Sequence, residues 1–129
     1  MISLAPLETS FDISLIHKTY NFYQDLYICA RRLPKQDRHT LGQKSQQLTI
    51  EILELLFAAN SESGAARFAL QKQVDLKLKI LKTIIRLCYD VRAIDESRYL
   101  SLEKKIVEIG RMLGGWIKKT DKNDIRKPA

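Results

Sequence analysis

The stretch Tyr99–Lys119, "YLSLEKKIVEIGRMLGGWIKK", places Tyr99, Leu102, Ile106, Ile109, Leu113 and Trp116 at spacings of three, four, three, four and three. Apolar residues in that rhythm fall on one stripe of an α-helix, whereas a half-buried strand would alternate them every second residue. The same stretch carries Gly110, Gly114 and Gly115, each costing about 1 kcal/mol relative to alanine inside a helix. Val107, Gly110, Gly114 and Ile117 form a second stripe beside the first. Gly110 and Gly114, four apart, leave a groove that another helix backbone or a bulky ring can approach. The alternative is that Gly114-Gly115 caps or kinks the helix. Against this, Trp116 and Ile117 continue the pattern in phase. A groove within a bundle and one between subunits look the same in sequence.

The helical rhythm extends through the rest of the chain. A first segment, about 12–33, has Ile16, Tyr20, Tyr23, Tyr27 and Ala30 on one seam, with Phe22, Leu26, Cys29 and Leu33 beside it. The tyrosines are expected in the core, although Tyr20, Tyr23 and Tyr27 could also stack on bases. "RRLPKQD" breaks this helix, because proline disfavours helical geometry in the residue before it. A second helix, about 35–60, carries Leu41, Ser45, Leu48, Ile52, Leu55 and Ala59. After "NSESG", with Ser61 or Ser63 as N-cap, a third runs over about 65–91. It has one seam of Ala69, Leu76, Ile80, Ile84 and Leu87 and another of Val74, Leu78, Leu81, Ile85 and Cys88. Asp95 is the expected cap of the fourth, about 96–119. Short connections make neighbouring helices antiparallel, so the expected fold is all-α, an up-down-up-down four-helix bundle forming a single domain over residues 1–129. The first ten residues, and a basic C-terminal tail from about 120 to 129, are expected to be loosely ordered.

The chain has 129 residues with 45% hydrophobic content, enough for a packed core. Its apolar runs, such as "ILELLFAA", fall short of the roughly 20 residues that cross a bilayer. A basic amphipathic surface could meet anionic lipid, but the apolar seams are set to face one another, so no membrane role is expected. "MISLAPLETSF" lacks the charged start and apolar middle of a secretory signal, which points to the cytoplasm. Cys29 and Cys88 sit within apolar helical patterns, where free thiols behave as small hydrophobes.

The net charge is +7, and it is segregated. From Ser45 to Ala66 there is no Lys or Arg and three glutamates; Arg31–Lys44 holds five basic residues against one Asp, and Arg67–Arg92 seven against two acids. Lys72, Lys79, Lys82 and Arg86 line one face of the third helix, with Asp75 and Asp90 in the same stripe. Such a row can meet successive phosphates, or it can be simply a solvated face. Arg31, Arg32, Lys35 and Arg38 concentrate charge at the first turn. Lys118, Lys119, Lys122, Arg126 and Lys127 do so at the C-terminus, where they also suit a helix dipole.

Catalysis finds no constellation. His17 and His39 lie on different segments, no Glu-x-x-His motif of bundle di-iron sites is present, and no glycine-rich phosphate loop follows a strand. No enzyme activity, cofactor or metal is expected. Glu51 and Glu54 share a helix face and are expected to balance a basic neighbour.

Three stretches, "LPKQDRHTLGQKSQQLTIEILELL" (Leu33–Leu56), "DLKLKILKTIIRLCYDV" (Asp75–Val91) and "EIGRMLGGWIKK" (Glu108–Lys119), together resemble a family of small bacterial four-helix-bundle proteins. It comprises the accessory variability determinant (Avd) proteins of diversity-generating retroelements and the related ribosomal-RNA intervening-sequence proteins. The likeness covers about Ile16 to Lys119. The Pro-Lys-x-x-Arg-x-x-Leu-Gly entry to the second helix and the glycine-rich end of the fourth carry it most specifically, and Trp116 after the paired small residues resembles the Avd branch.

The resemblance implies a non-enzymatic accessory protein that forms a ring-like homopentamer with a basic surface. In the retroelement setting such a protein binds nucleic acid and the element's reverse transcriptase, and supports copying of template RNA into mutagenised cDNA. Lys82 and Arg86 match the basic positions implicated in the family. The alternative it permits is an oligomeric scaffold of the intervening-sequence type, with no direct role on nucleic acid.

Overall fold

The structure, a computed structural model, describes residues 11–125. Four helices account for nearly all of them. Helix α1 spans Phe11–Arg31; α2 is continuous through three pieces, Lys35–Asp37, a π-helical turn Arg38–Gly42, and Gln43–Ser61; α3 spans Gly64–Asp90 and α4 Glu96–Thr120, followed by a π-helical turn Asp121–Ile125. Each helix packs on two neighbours, α1 on α2 and α4, and α3 on α2 and α4, while the diagonal pairs do not come into backbone contact. This is the antiparallel up-down-up-down bundle expected from the short connections. The cross-helix partners run in opposite directions: Tyr89 stacks on Tyr99 at one end of α3, and Gln71 bonds Thr120 at the other.

The Tyr99-to-Trp116 seam is buried along its whole length. It meets Phe22 and Leu26 of α1, Leu48, Ile52 and Leu56 of α2, and Val74, Leu81 and Ile85 of α3 in one core. Burying each such side chain contributes about 1.5–3 kcal/mol. Where two apolar seams lie side by side, only one faces inward. On α3 the Val74, Leu78, Leu81, Ile85, Cys88 seam is buried, whereas Leu76, Ile80 and Leu87 of the other are exposed. On α1, Tyr20 and Tyr27 are exposed, Tyr23 is half-buried, and Phe22, Leu26, Cys29 and Leu33 take the core positions expected of the tyrosines. A bundle helix presents only a limited arc to its neighbours, so the surplus apolar width lies outside.

Local chemistry fixes the turns. Gly42 ends the π-helical turn of α2 where a Cβ would stand 2.9 Å from Leu33 Cδ1 and 3.4 Å from the Asp37 carbonyl oxygen. Glycine here lets Leu33 pack against the turn without displacement. Gly64 opens α3 at φ +58°, and Ser63, the N-cap residue, makes no side-chain cap bond. Ser61 is instead the last residue of α2, its hydroxyl bonded to the Phe57 carbonyl. α3 finishes in a Schellman turn, with Arg92 N–H bonding Tyr89 O at 2.9 Å and Ala93 N–H bonding Cys88 O at 2.8 Å. Asp95 caps α4 by accepting from the Arg98 amide at 2.8 Å, worth about 1 kcal/mol.

Two boundaries differ from expectation. α1 ends at Arg31 rather than at Leu33, because Leu33 precedes Pro34 and turns inward, 3% exposed, against Gly42. Residues 120–125, expected in the tail, are helical: Thr120 is the buried last residue of α4, and helical backbone continues to Ile125. The loose ends expected at residues 1–10 and 126–129 lie outside the described residues.

Candidate nucleic-acid interface

Lys72, Lys79, Lys82 and Arg86 all lie exposed on α3. Their surroundings divide them. Lys79 bonds Asp75 at 3.0 Å and Arg86 bonds Asp90 at 2.9 Å, each one helical turn apart. Lys72 and Lys82 have no ion-pair partner among the described residues. Arg86 is also held above two rings, 5.7 Å from the centroids of both Tyr89 and Tyr99, which stack on each other at 4.8 Å and 15°. Hydrogen bonding to Tyr99, and then to Asp90, raises its pKa further above the usual arginine value. Arg86 is thus held in place by Asp90 and the two rings, whereas Lys82 has no such anchor among the described residues.

Arg31, Arg32, Lys35 and Arg38 are exposed at the turn between α1 and α2. Arg31 lies 5.8 Å from the Tyr27 ring centroid, and Arg38 donates from Nε to the Leu33 carbonyl at 2.9 Å. The topology brings the α3–α4 turn to this same end. Leu33 and Ile94, one from each turn, line a small cavity with Cys29 and Cys88. Two basic residues that sequence reasoning did not single out therefore join the cluster, Arg92 in the α3–α4 turn and Arg98 in the first turn of α4. Burial pushes the Cys29 thiol above its usual pKa, against the opposing influence of the nearby Arg98 guanidinium. Burial likewise pushes the Cys88 thiol up to about 11. Both thiols are free and protonated at neutral pH.

Lys118, Lys119 and Lys122 are exposed at the opposite end of the bundle. Arg126 and Lys127 lie outside the described residues. The α3 face spans the distance between the two basic ends.

The helix runs through Gly114 and Gly115 to Thr120 without a break. A Cβ on Gly110 would make ordinary contact with Leu78 Cδ2 at 3.5 Å, and one on Gly114 would meet nothing within 4 Å. Among the described residues no other helix closes on Gly114. Gly115 is exposed, while Trp116 is buried with the Arg67 guanidinium 5.5 Å from its ring centroid. The stripe containing these glycines also leaves Val107 49% exposed.

Several other charges pair with one another. Glu51 accepts from Gln47 and from Lys77 of α3, both at 3.0 Å, and these bonds hold its carboxyl below the usual carboxylate pKa. A cleft of about 700 Å³ between α1 and α4 is walled by the Lys105–Asp25 ion pair and by Lys18, 4.0 Å from Glu108. Among the described residues no three His, Cys, Asp or Glu side chains gather as metal ligands. No helix there is long and apolar enough to cross a membrane.

A family model described as bAvd-like matches residues 14–120. The chain belongs to the bAvd-like family. The match embraces all four helices and both groups of basic residues at α3 and the first turn, so the chain is an Avd-type accessory protein. No curated protein matches the sequence. The bAvd-like bundle carries exposed basic residues on the outer side of α3 and at both of its ends.

Proposed function

We propose that this protein is a nucleic-acid-binding accessory subunit of a diversity-generating retroelement, which also docks the element's reverse transcriptase to support template-primed mutagenic cDNA synthesis. The observation that carries the reading is the pair Lys72 and Lys82, exposed on α3 with no acidic partner among the described residues, on either side of Lys79 and followed one turn later by Arg86. Counterion release from a phosphate backbone supplies sequence-independent affinity to such a row. Membership of the bAvd-like family supports the retroelement setting.

The reading includes a homo-oligomer, a pentameric ring. Leu76, Ile80 and Leu87 are exposed on α3, Val91 just past its end, and Tyr20, Tyr27, Ile50 and Phe57 on α1 and α2. Two different apolar surfaces on one chain suit a head-to-tail contact, which closes into a ring when the rotation allows. The same surfaces favour a second reading, an oligomeric scaffold of the intervening-sequence type whose charge is incidental.

Binding to duplex DNA and structured RNA across a salt series separates the two. The accessory reading expects affinity to fall with a log–log slope of about 0.9 per phosphate contact. It also expects a folded Lys82→Glu/Arg86→Glu variant to lose that binding, and a co-expressed reverse transcriptase to co-purify. Equal binding by wild type and variant, or none at low salt, gives the scaffold reading the lead.

A further inference from the structure

Arg92 occupies the one described non-glycine position with positive φ, +64°. It is the left-handed residue of the Schellman turn, where glycine avoids the steric penalty that every other L-residue carries. The chain does place glycine at its other left-handed helix boundary, Gly64. Within the described residues Arg92 repays nothing: its side chain is exposed and has no ion pair or ring contact. A strained, unpaired guanidinium is an offer to something outside the chain.

Its neighbours make the offer collective. At this end of the bundle Arg32 of the first turn and Arg98 of α4 lie near the thiol of Cys29, which with Leu33, Cys88 and Ile94 lines a buried floor, and Arg31 closes α1 next to Arg32. The acids present are partly engaged, Asp95 by the Arg98 amide and Asp90 by Arg86; Asp37 and Glu96 complete the set. The aromatic rings here carry arginines, Arg31 over Tyr27 and Arg86 over Tyr89 and Tyr99. Binding of single strands leans on bare rings that stack with bases. Rings already covered by guanidinium groups favour contact with a phosphate backbone whose bases are paired.

We propose that the end of the bundle formed by the α1–α2 and α3–α4 turns is a docking surface for the phosphodiester backbone of duplex nucleic acid, with Arg92 joining the α3 row to Arg31 and Arg32. This rests on the nucleic-acid reading above and adds to it the end face and the duplex preference.

The test compares wild type, Arg92→Gly, Arg92→Lys and a Lys72→Glu/Lys82→Glu variant for binding to a 20-base-pair DNA duplex, the matching RNA duplex and the single strand, each across a salt series. Arg92→Gly is expected to keep or raise the melting temperature while its salt slope on duplex falls by about one; Arg92→Lys is expected to retain the slope. An unchanged slope in Arg92→Gly overturns the end-face proposal, and loss of binding in the Lys72→Glu/Lys82→Glu variant then leaves the α3 reading standing. Tighter binding of the single strand than of either duplex overturns the duplex preference. No binding by wild type at low salt overturns both readings together.

Discussion

Gln71 of α3 donates from Nε2 to Thr120 Oγ1 of α4 at 3.0 Å, deep in the bundle, while its own Oε1 has no partner among the described residues. This bond pins the end of α4, beyond which the backbone continues into Asp121–Ile125. A buried amide half satisfied is costly, because leaving a polar group without a partner costs about 1–3 kcal/mol.

Thr120→Val removes the acceptor and leaves Nε2 stranded as well. It is expected to destabilise the protein by about 1–3 kcal/mol, whereas Gln71→Leu/Thr120→Val, which strands nothing, is expected to be close to neutral or stabilising. A double-mutant cycle by urea unfolding reads the difference. A double variant as unstable as Thr120→Val would mean that packing, rather than the polar pair, holds this end.

Gly42 and Gly114 make opposite predictions from the same residue type. Gly42→Ala drives a methyl group into Leu33 at 2.9 Å and is expected to cost about 1–3 kcal/mol by overpacking. Gly114→Ala meets nothing within 4 Å and is expected to stabilise the isolated chain by up to about 1 kcal/mol through helix propensity. Denaturant titration checks both. Light scattering of Gly114→Ala adds a further reading: a lost oligomer places the groove between subunits.

The bundle itself was legible because helical periodicity is local. Spacings of three and four from Tyr99 to Trp116 carry their own phase, and Asp95 sits where a cap must sit. The failures share one cause. On α1 and α3 two apolar seams run side by side, and nothing within either helix says which one its neighbours will cover. Tyr20 and Tyr27, expected in the core, are exposed for that reason, and of the two α3 seams the one holding Leu76 and Leu87 lies outside. Thr19, buried and bonded to the Leu15 carbonyl at 2.9 Å, marks the inward face of α1 only in hindsight. The α3 row was visible from residue spacing, and the pairing of Asp75 with Lys79 and of Arg86 with Asp90 follows from a separation of four. Arg92 and Arg98 were not visible as partners of Arg31 and Arg32, since only the fold brings the two turns to one end.

Glu51 gives stability a pH dependence of known sign. Hydrogen bonds from Gln47 and Lys77 lower its pKa from 4.5 in the native state. A depressed native pKa means that the contribution is fully present above 4.5 and is lost as pH falls through the native value. Thermal unfolding of Glu51→Gln is therefore expected to show a shallower decline than wild type on acidification below pH 4.5, with the two curves parallel above it. Parallel curves throughout would mean that the Lys77 contact is too solvated to matter.

The outward seam of α3 separates packing within the chain from packing between chains. Ile80 is 40% exposed and Leu87 43%, whereas Leu81, between them in sequence, is 1% exposed. Leu81→Glu buries an unpaired charge in the core and is expected to unfold the protein. Ile80→Glu/Leu87→Glu places both charges in water on the monomer surface, where each substitution is expected to change stability by no more than about 0.5 kcal/mol. In a ring that buries this seam the same charges would be desolvated at every contact, so light scattering at micromolar concentration is expected to give the 14.9 kDa chain mass for the double variant and a multiple of it for wild type. Wild type at the chain mass would remove the ring from the proposed function. A double variant that still assembles would move the interface to the face holding Tyr20, Tyr27 and Phe57, where Tyr27→Glu/Phe57→Glu makes the equivalent test.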